Sequence, residues 1–331
     1  MRVFLVGDYR TGTGPANVTL EYKKRIPHVF VQRMKSKAAR VPELFVKTFF
    51  SDVVLLSGHS RQNLYALRFA RLWGRKCAFL MHGCVEYENE INGVPDADMT
   101  DTERRTLEGA DAIFAVSEHF AAWLKERYPA YRDKISAVPN GADLEMSVPE
   151  GAAREQDKNL IFSIGGGMPR KRIRYIAQAV MLLRKDPACR DLKLAVAGDT
   201  GKDSEVLDAY PCVDDLGLIS HERCMDLLSS CALFVQNSCF ETFALSPLEA
   251  LGAGASVLCS REVGALELFS GLQPCDVIGN TEDAEEIAGK IKTLLGKGNR
   301  DRLLSSIDTE SVSWNKRCDL LMKKLQELTD K

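Results

Sequence analysis

The sequence predicts an α/β protein of two tandem domains, each a doubly wound parallel sheet with helices on both faces. Three observations predict it. Short β-branched apolar runs alternate with amphipathic stretches over the whole length, the pattern expected when strands are buried on both faces and helices connect them. A polar stretch bearing Gly and Pro, Ala142 to Lys158 (ADLEMSVPEGAAREQDK), lacks periodicity and splits the alternation into two series. The 331 residues amount to about two domains of ~150 residues, each able to bury a full core.

In the first series the candidate strands are Val3 to Val6, His28 to Val31, Val53 to Leu56, Cys77 to Met81, Ala112 to Val116 and Ile135 to Val138. In the second they are Leu160 to Ile164, Lys193 to Ala197, Cys212 to Asp215, Leu233 to Gln236, Ser256 to Leu258 and Asp276 to Ile278. Helices fall between them. Apolar residues at Trp314, Cys318, Leu321, Met322, Leu325 and Leu328 keep helical spacing, so Ser311 to Leu328 is expected to be a closing amphipathic helix. The expected division is 1–141, 142–310 and a final helix over 311–331.

No apolar run approaches the ~20 residues of a membrane span. The opening MRVFLVGDYRTG passes straight from a short apolar run into Gly, Asp and Arg, and reads as a first strand rather than a signal peptide. The ten cysteines are scattered singly, without CxxC or zinc spacing, which fits reduced thiols in a cytoplasmic protein. The net charge of -2 hides an asymmetry: residues 1–80 hold 15 Lys and Arg against 4 Asp and Glu, and the remainder 29 against 42. Within the basic quarter, Lys23 to Lys47 carries eight basic residues and one acid interleaved with Val, Phe and Met. It is either a solvated helix face or a surface for anionic lipid.

Ligands of open α/β sheets bind beyond the carboxyl ends of the strands. Four loops there carry candidate chemistry. Gly7 to Ala16 (GDYRTGTGPA) follows the first strand; its glycines lack GxGxxG spacing, and it is either a ligand-approaching turn or an ordinary tight one. His82, at the end of a strand, is either structural or part of a site. Gly165 to Arg172 (GGGMPRKR) puts three cations at a helix start, where the dipole repels them, so the cluster calls for an anion such as a diphosphate. In the fourth loop, Ser246 and Glu249 have the spacing of a capping box, which leaves Glu241 unexplained. Two carboxylates flanking helix-start amides suit a sugar on one side of a diphosphate and a ribose on the other.

These segments carry a family resemblance. ADAIFAVSEHFAAWLKERYP and KISAVPNGAD within residues 110–143, SIGGGMPRKRI at 163–173, LAVAGDTG at 194–201 and DLGLISHERCMDLLSSCALFVQNSCFETFALSPLEALGAGASVL at 215–258 resemble, in order and spacing, the retaining GT-B glycosyltransferases of family 4, also called glycosyl transferases group 1. The likeness covers most of residues 76–270. It implies two Rossmann-like domains facing a central cleft, with the C-terminal helix crossing back to the N-terminal domain. The N-terminal domain would bind acceptor, and the C-terminal domain the nucleotide sugar.

The resemblance also implies roles. Glu241, first glutamate of the E-x7-E motif, would contact the donor sugar, and Glu249 the ribose. The amides of Phe243, Ala244 and Leu245 would hold the diphosphate together with Lys171, His82 would be the active-site histidine of the N-terminal domain, and Gly12 and Gly14 would close over the donor. Gly166 stands where the family usually has Arg, with Arg170 or Arg172 as substitutes, and Ala244 stands for a common Gly, expected as a helical amide.

The expected activity is therefore metal-independent, retaining transfer from a UDP- or GDP-sugar to a glycan or lipid-linked acceptor, as in polysaccharide or glycoconjugate biosynthesis. The nucleotide sugar is a substrate, so no cofactor is expected, nor any nucleic-acid partner. The protein is expected in the cytoplasm, with Lys23 to Lys47 on the anionic inner membrane face. Domain closure about Pro139 to Asp143 and the final helix would join the two substrates. A nucleotide-sugar epimerase of the same architecture and a non-catalytic nucleotide-sugar-binding protein are the alternatives; a nicotinamide dehydrogenase lacks its fingerprint.

Overall fold

The computed structural model describes residues 1–34, 36–142 and 156–331. Most of the expected linker, and Asp143 of the expected hinge, lie outside these residues. The chain divides into two compact units: Met1–Glu90, Val94–Gly141 and Glu310–Lys331 form one, and Ile91–Gly93 with Ala142–Thr309 the other.

In the N-terminal unit the strands are β1 (Val3–Gly7), β2 (Val29–Val31), β3 (Val53–Ser57), β4 (Lys76–Met81), β5 (Ala112–Ala115) and β6 (Ile135–Ala137). Their order is β2-β1-β3-β4-β5-β6, and every pairing is parallel. The helices α1 (Gly14–Arg25), α2 (Lys37–Phe50), α3 (Gln62–Leu72), α4 (Val85–Asn92), α5 (Ala97–Gly109) and α6 (Glu118–Arg127) connect them. Leu55, Leu56, Phe79 and Leu80 are buried, as central parallel strands covered on both faces require. Asp96 and Ser117 start α5 and α6 by accepting from the amides of Met99 and Phe120, satisfying donors the helix leaves orphaned.

In the C-terminal unit β7 (Asp157–Ile164), β8 (Lys193–Ala197), β9 (Val213–Asp215), β10 (Cys231–Gln236), β11 (Ser256–Ser260) and β12 (Val277–Ile278) form a parallel sheet of order β12-β11-β10-β7-β8-β9. Its helices are α7 (Ile173–Leu183), α8 (Ser204–Asp208), α9 (His221–Ser230), α10 (Ser246–Ala253), α11 (Ala284–Lys297) and α12 (Arg300–Ser305), and α13 (Thr309–Val312) spans the boundary to the N-terminal unit. The apolar stripes of α7 and α11 (Ile176, Val180, Ile287, Ile291, Leu294) share a core with Leu194, Leu233 and Val235 of the sheet.

The strand orders locate the crevices. In the C-terminal unit the winding reverses between β7 and β10, and in the N-terminal unit between β1 and β3. Helices leave the sheet to opposite faces at such a point and open a space above the carboxyl ends. The loops after β7, β10, β1 and β3 border these two places.

The closing helix is shorter at its start than its spacing predicts. Ser313 ends α13 and caps α14 (Trp314–Thr329) by accepting from the amide of Lys316. Trp314, Cys318, Leu321 and Leu325 are its buried face. Trp314 meets Tyr22 of α1 edge-on at 5.6 Å, and a Cβ at Gly141 would fall 2.6 Å from its ring. The last helix thus belongs to the N-terminal unit.

Candidate active site

At the exit of β7 the backbone folds back on the exit of β8. Gly166 has φ +54, and a Cβ there would sit 2.0 Å from the Asp199 carbonyl oxygen. No side chain fits, so an arginine at 166 is ruled out by the close approach of two loops. The cations come later. Pro169–Lys171 forms one 3-10 turn, Arg172 is left-handed at φ 51, and α7 begins only at Ile173.

The turn meets the loop after β10, where the Cys239 amide donates to the Arg170 carbonyl at 3.0 Å. Glu241 follows, fixed by a bridge to Val263. Its Oε2 accepts from Lys171 Nζ at 2.5 Å, from Arg170 Nη1 at 3.3 Å, from Gln236 Nε2 at 3.3 Å and from Ser238 Oγ at 3.4 Å. Its Oε1 accepts from no group among the described residues. Burial pushes this carboxyl up, but Lys171 and then Arg170 outweigh it and hold the pKa at about 2. The group is a carboxylate with one oxygen saturated and one available.

This corrects the electrostatics read from sequence. The cation cluster already has protein anions: Glu241 pairs with both Arg170 and Lys171 and offsets one of their two charges, and Glu282 pairs with Arg172 at 3.0 Å. A diphosphate would share cations already held in place.

Beyond Glu241 the chain turns at Ala244, with φ 67, so Ala244 is not the helical amide expected but sits in the left-handed region that favours glycine. The N-cap of α10 is Leu245, with no side-chain cap. Ser246 is already inside the helix, and the capping box expected of Ser246 and Glu249 does not form. The amides of Phe243, Ala244 and Leu245 donate to no backbone carbonyl among the described residues, and at a helix start they favour an anion. Glu249 lies one turn into α10; its carboxylate has no hydrogen-bond or ion-pair partner among the described residues. Burial raises its pKa, against a smaller opposing effect of His221.

The other expected site residues are in the N-terminal unit. His82 follows β4, and its Nε2 lies 2.9 Å from Ser57 Oγ at the end of β3. Burial lowers its pKa to about 4, so the ring is neutral near pH 7. Gly12, at φ +75, and Gly14, at the start of α1, have open space around them.

Sequence reasoning missed several supporting residues. Gln236 and Ser238 are buried and converge on Glu241; the signal was a polar residue ending the apolar strand CALFVQ. Glu103, fully buried in α5, accepts from the amides of Val85 and Glu86 at 2.8 and 3.0 Å and so anchors the start of α4, just after His82. Burial raises its pKa, and those amides hold it back. Nothing local distinguishes Glu103 from a surface helix glutamate. Among the described residues no group of His, Cys, Asp and Glu is placed to hold a metal ion, and no helix is long and apolar enough to cross a membrane.

Comparison with known proteins adds what geometry cannot. The family model Glycosyltransferase Family 4 matches residues 6–146, and Glycosyl transferases group 1 matches residues 148–306. A D-inositol 3-phosphate glycosyltransferase of Nocardia farcinica is 28% identical over 219 residues, 61% of this chain and 48% of that protein. The serotype-specific mannosyltransferase WbdA of Escherichia coli is 24% identical over 287 residues, 76% of this chain and 34% of that protein. The alignments thus take in less than half of either relative. Among solved structures, Anabaena HepE in complex with UDP and glucose superposes with a TM-score of 0.71 at 12% identity, covering 99% of this chain and 100% of that one. Sucrose-phosphate synthase from Thermosynechococcus elongatus gives 0.72 at 16%, covering 99% of each. At such identities the shared property is the fold, GT-B.

Proposed function

The chain belongs to the family 4, or group 1, glycosyltransferases, and on that premise we propose that it transfers a glycosyl group from a UDP- or GDP-sugar to a glycan or lipid-linked acceptor, with retention at the anomeric carbon. The observation that carries this reading is the divided carboxylate of Glu241. Cations hold Oε2, and Oε1 remains to accept from a sugar hydroxyl. Lys171 and the amides around Ala244 take the diphosphate; Glu249 accepts from the ribose.

In the proposed step the bond from the anomeric carbon to the diphosphate oxygen breaks and one to the acceptor oxygen forms on the same face. The acceptor proton passes to the departing phosphate. Lys171, Arg170 and the loop amides supply the positive charge as the sugar gains oxocarbenium character, in place of a metal ion. The N-terminal unit takes the acceptor, and no cofactor takes part. That HepE was solved with UDP and glucose, and again with UDP-glucose, supports a nucleotide-sugar donor.

Thermal shifts with UDP-, GDP- and ADP-sugars test the donor, since a ligand at 100 times its Kd stabilises by about 2.7 kcal/mol. Transfer by the wild type and its loss in Glu241→Gln are the expected results. Conversion of the donor alone into a second sugar nucleotide would instead make the protein an epimerase.

A lipid-linked acceptor places the protein on an anionic membrane face. Support lies in α2 and α3, where Phe45, Val46, Phe49, Phe50 and Leu72 are exposed and Arg68 and Arg71 have no ion pair among the described residues. By contrast, Lys24, Arg25 and Lys47 of the segment singled out from sequence are paired with Glu21 and Glu43. Sedimentation with phosphatidylglycerol vesicles that weakens with salt is expected; binding indifferent to salt and to acidic lipid would remove this part of the proposal.

A further inference from the structure

Ser57, Thr19 and His82 belong to three different elements of the N-terminal unit and form one hydrogen-bonded chain. Nε2 of His82 lies 2.9 Å from Ser57 Oγ, Ser57 Oγ lies 2.7 Å from Thr19 Oγ1, and Thr19 Oγ1 lies 2.8 Å from the Pro15 carbonyl oxygen. Thr19 is 1% exposed and Ser57 5%, so water does not compete for these hydroxyls.

A carbonyl oxygen can only accept, and a hydroxyl has one hydrogen. Thr19 therefore spends its hydrogen on Pro15. The contact between the two hydroxyls must then use the hydrogen of Ser57. With that hydrogen spent, Ser57 can only accept from His82. We infer that Thr19 and Ser57 are positioning residues that hold His82 as the Nε2–H tautomer, leaving Nδ1 as its lone-pair nitrogen. Nδ1 is itself buried, so the tautomer acts through the direction of the imidazole dipole at the end of β4.

The surroundings fix the chain in place. A Cβ at Gly7 of β1 would fall 2.6 Å from the Ser57 carbonyl oxygen and 2.9 Å from its Cβ, and one at Gly58 would fall 3.3 Å from Cδ2 of the His82 ring. Asn63 Nδ2 donates to the Gly58 carbonyl at 3.0 Å. Glycines thus let the strand ends close on the hydroxyl and the ring. The neutral state that burial imposes on His82 is the state in which the two tautomers differ.

To test this, 15N-labelled imidazole signals are recorded for the protein, Thr19→Val and Thr19→Ser. The expected result is a protonated, exchange-protected Nε2 in the wild type, altered Nε2 and Nδ1 signals in Thr19→Val, whose freed Ser57 can turn its hydrogen toward the ring, and wild-type signals in Thr19→Ser. A wild type protonated at Nδ1, or unchanged signals in Thr19→Val, overturns the inference.

Should Thr19→Val fail to fold, Ser57→Ala, which removes the acceptor of Nε2–H, is expected to abolish the exchange protection and decides the same question.

Discussion

Oε2 of Glu241 is held by two cations, so replacing this carboxylate affects stability and chemistry separately. Removing it takes this anion from the part-buried Lys171 and Arg170, at a cost below the ~3–5 kcal/mol of a fully buried broken pair. Glu241→Gln keeps the shape and part of the hydrogen bonding, and is expected to unfold earlier in urea and to lose transfer by about 10²-fold or more. Near-normal transfer by a folded variant would exclude Glu241 from the site. Because its pKa is lowered to about 2, its stabilising contribution is complete above the ordinary carboxyl value. It is lost only as pH falls from there toward 2, so Glu241 produces no titration in an activity profile between pH 5 and 9. His82 behaves oppositely. Its folded value, about 4, lies below the ordinary value of about 6.5, so the unfolded chain binds the extra proton between these pH values and stability falls as pH drops through that window, by about 3 kcal/mol over its width. Denaturant midpoints across that range should flatten in His82→Gln. Ala244 bears a strain that glycine would relieve: about 1–2 kcal/mol for a left-handed residue, offset by about 0.5–1 kcal/mol for the entropy of a new glycine. Ala244→Gly is expected to be neutral to slightly stabilising, and a clear fall in melting temperature would contradict the backbone described.

The site is assembled from strand exits rather than from whole elements. The two loops after β7 and β8 lie backbone to backbone, with Gly166, Gly167, Gly198 and Gly201 all at distances no Cβ tolerates. Gly166→Ala would place its Cβ against a carbonyl oxygen that cannot yield without moving β8. The expected outcome is a loss of several kcal/mol, above the ~1–3 kcal/mol of a strained backbone alone, together with weaker binding of the sugar nucleotide that stabilises the wild type. Normal stability in this variant would mean that the loops do not touch. The glycines, the cations and Glu241 were all legible in the sequence as residues of interest, because Gly-rich strand exits and charge at a helix start are local patterns. Their pairing was not. Glu241 is 70 residues from Lys171 in sequence, and only the placement of β10 beside β7 makes them partners. The same distance explains why the S-x-x-E spacing misled: the α10 boundary is set by the turn at Ala244, not by the serine.

Across the molecule, the two units have different strand orders although both were expected to be Rossmann-like. The C-terminal sheet reverses at its first strand in the dinucleotide-fold manner, and the N-terminal sheet places β2 outside β1 before crossing to β3. Integrity of the N-terminal unit depends on its distant end. Trp314 buries itself against Tyr22 and Gly141, so Trp314→Ala is expected to cost about 3–5 kcal/mol and to expose α14 to proteolysis before the rest of the chain; equal protease resistance would contradict this packing. By itself the sequence determined the strands of both series, the parallel class of both sheets and the family, because periodicity and turn residues act within a few positions and ordered motifs survive as text. Only the tertiary structure decided which anion answers the cation cluster, which oxygen of Glu241 is left for a ligand, and how Thr19 and Ser57 orient His82. Those are contacts between strand ends far apart in the chain, and hydrogen bonds of about 3 Å depend on a backbone placement that no local pattern encodes.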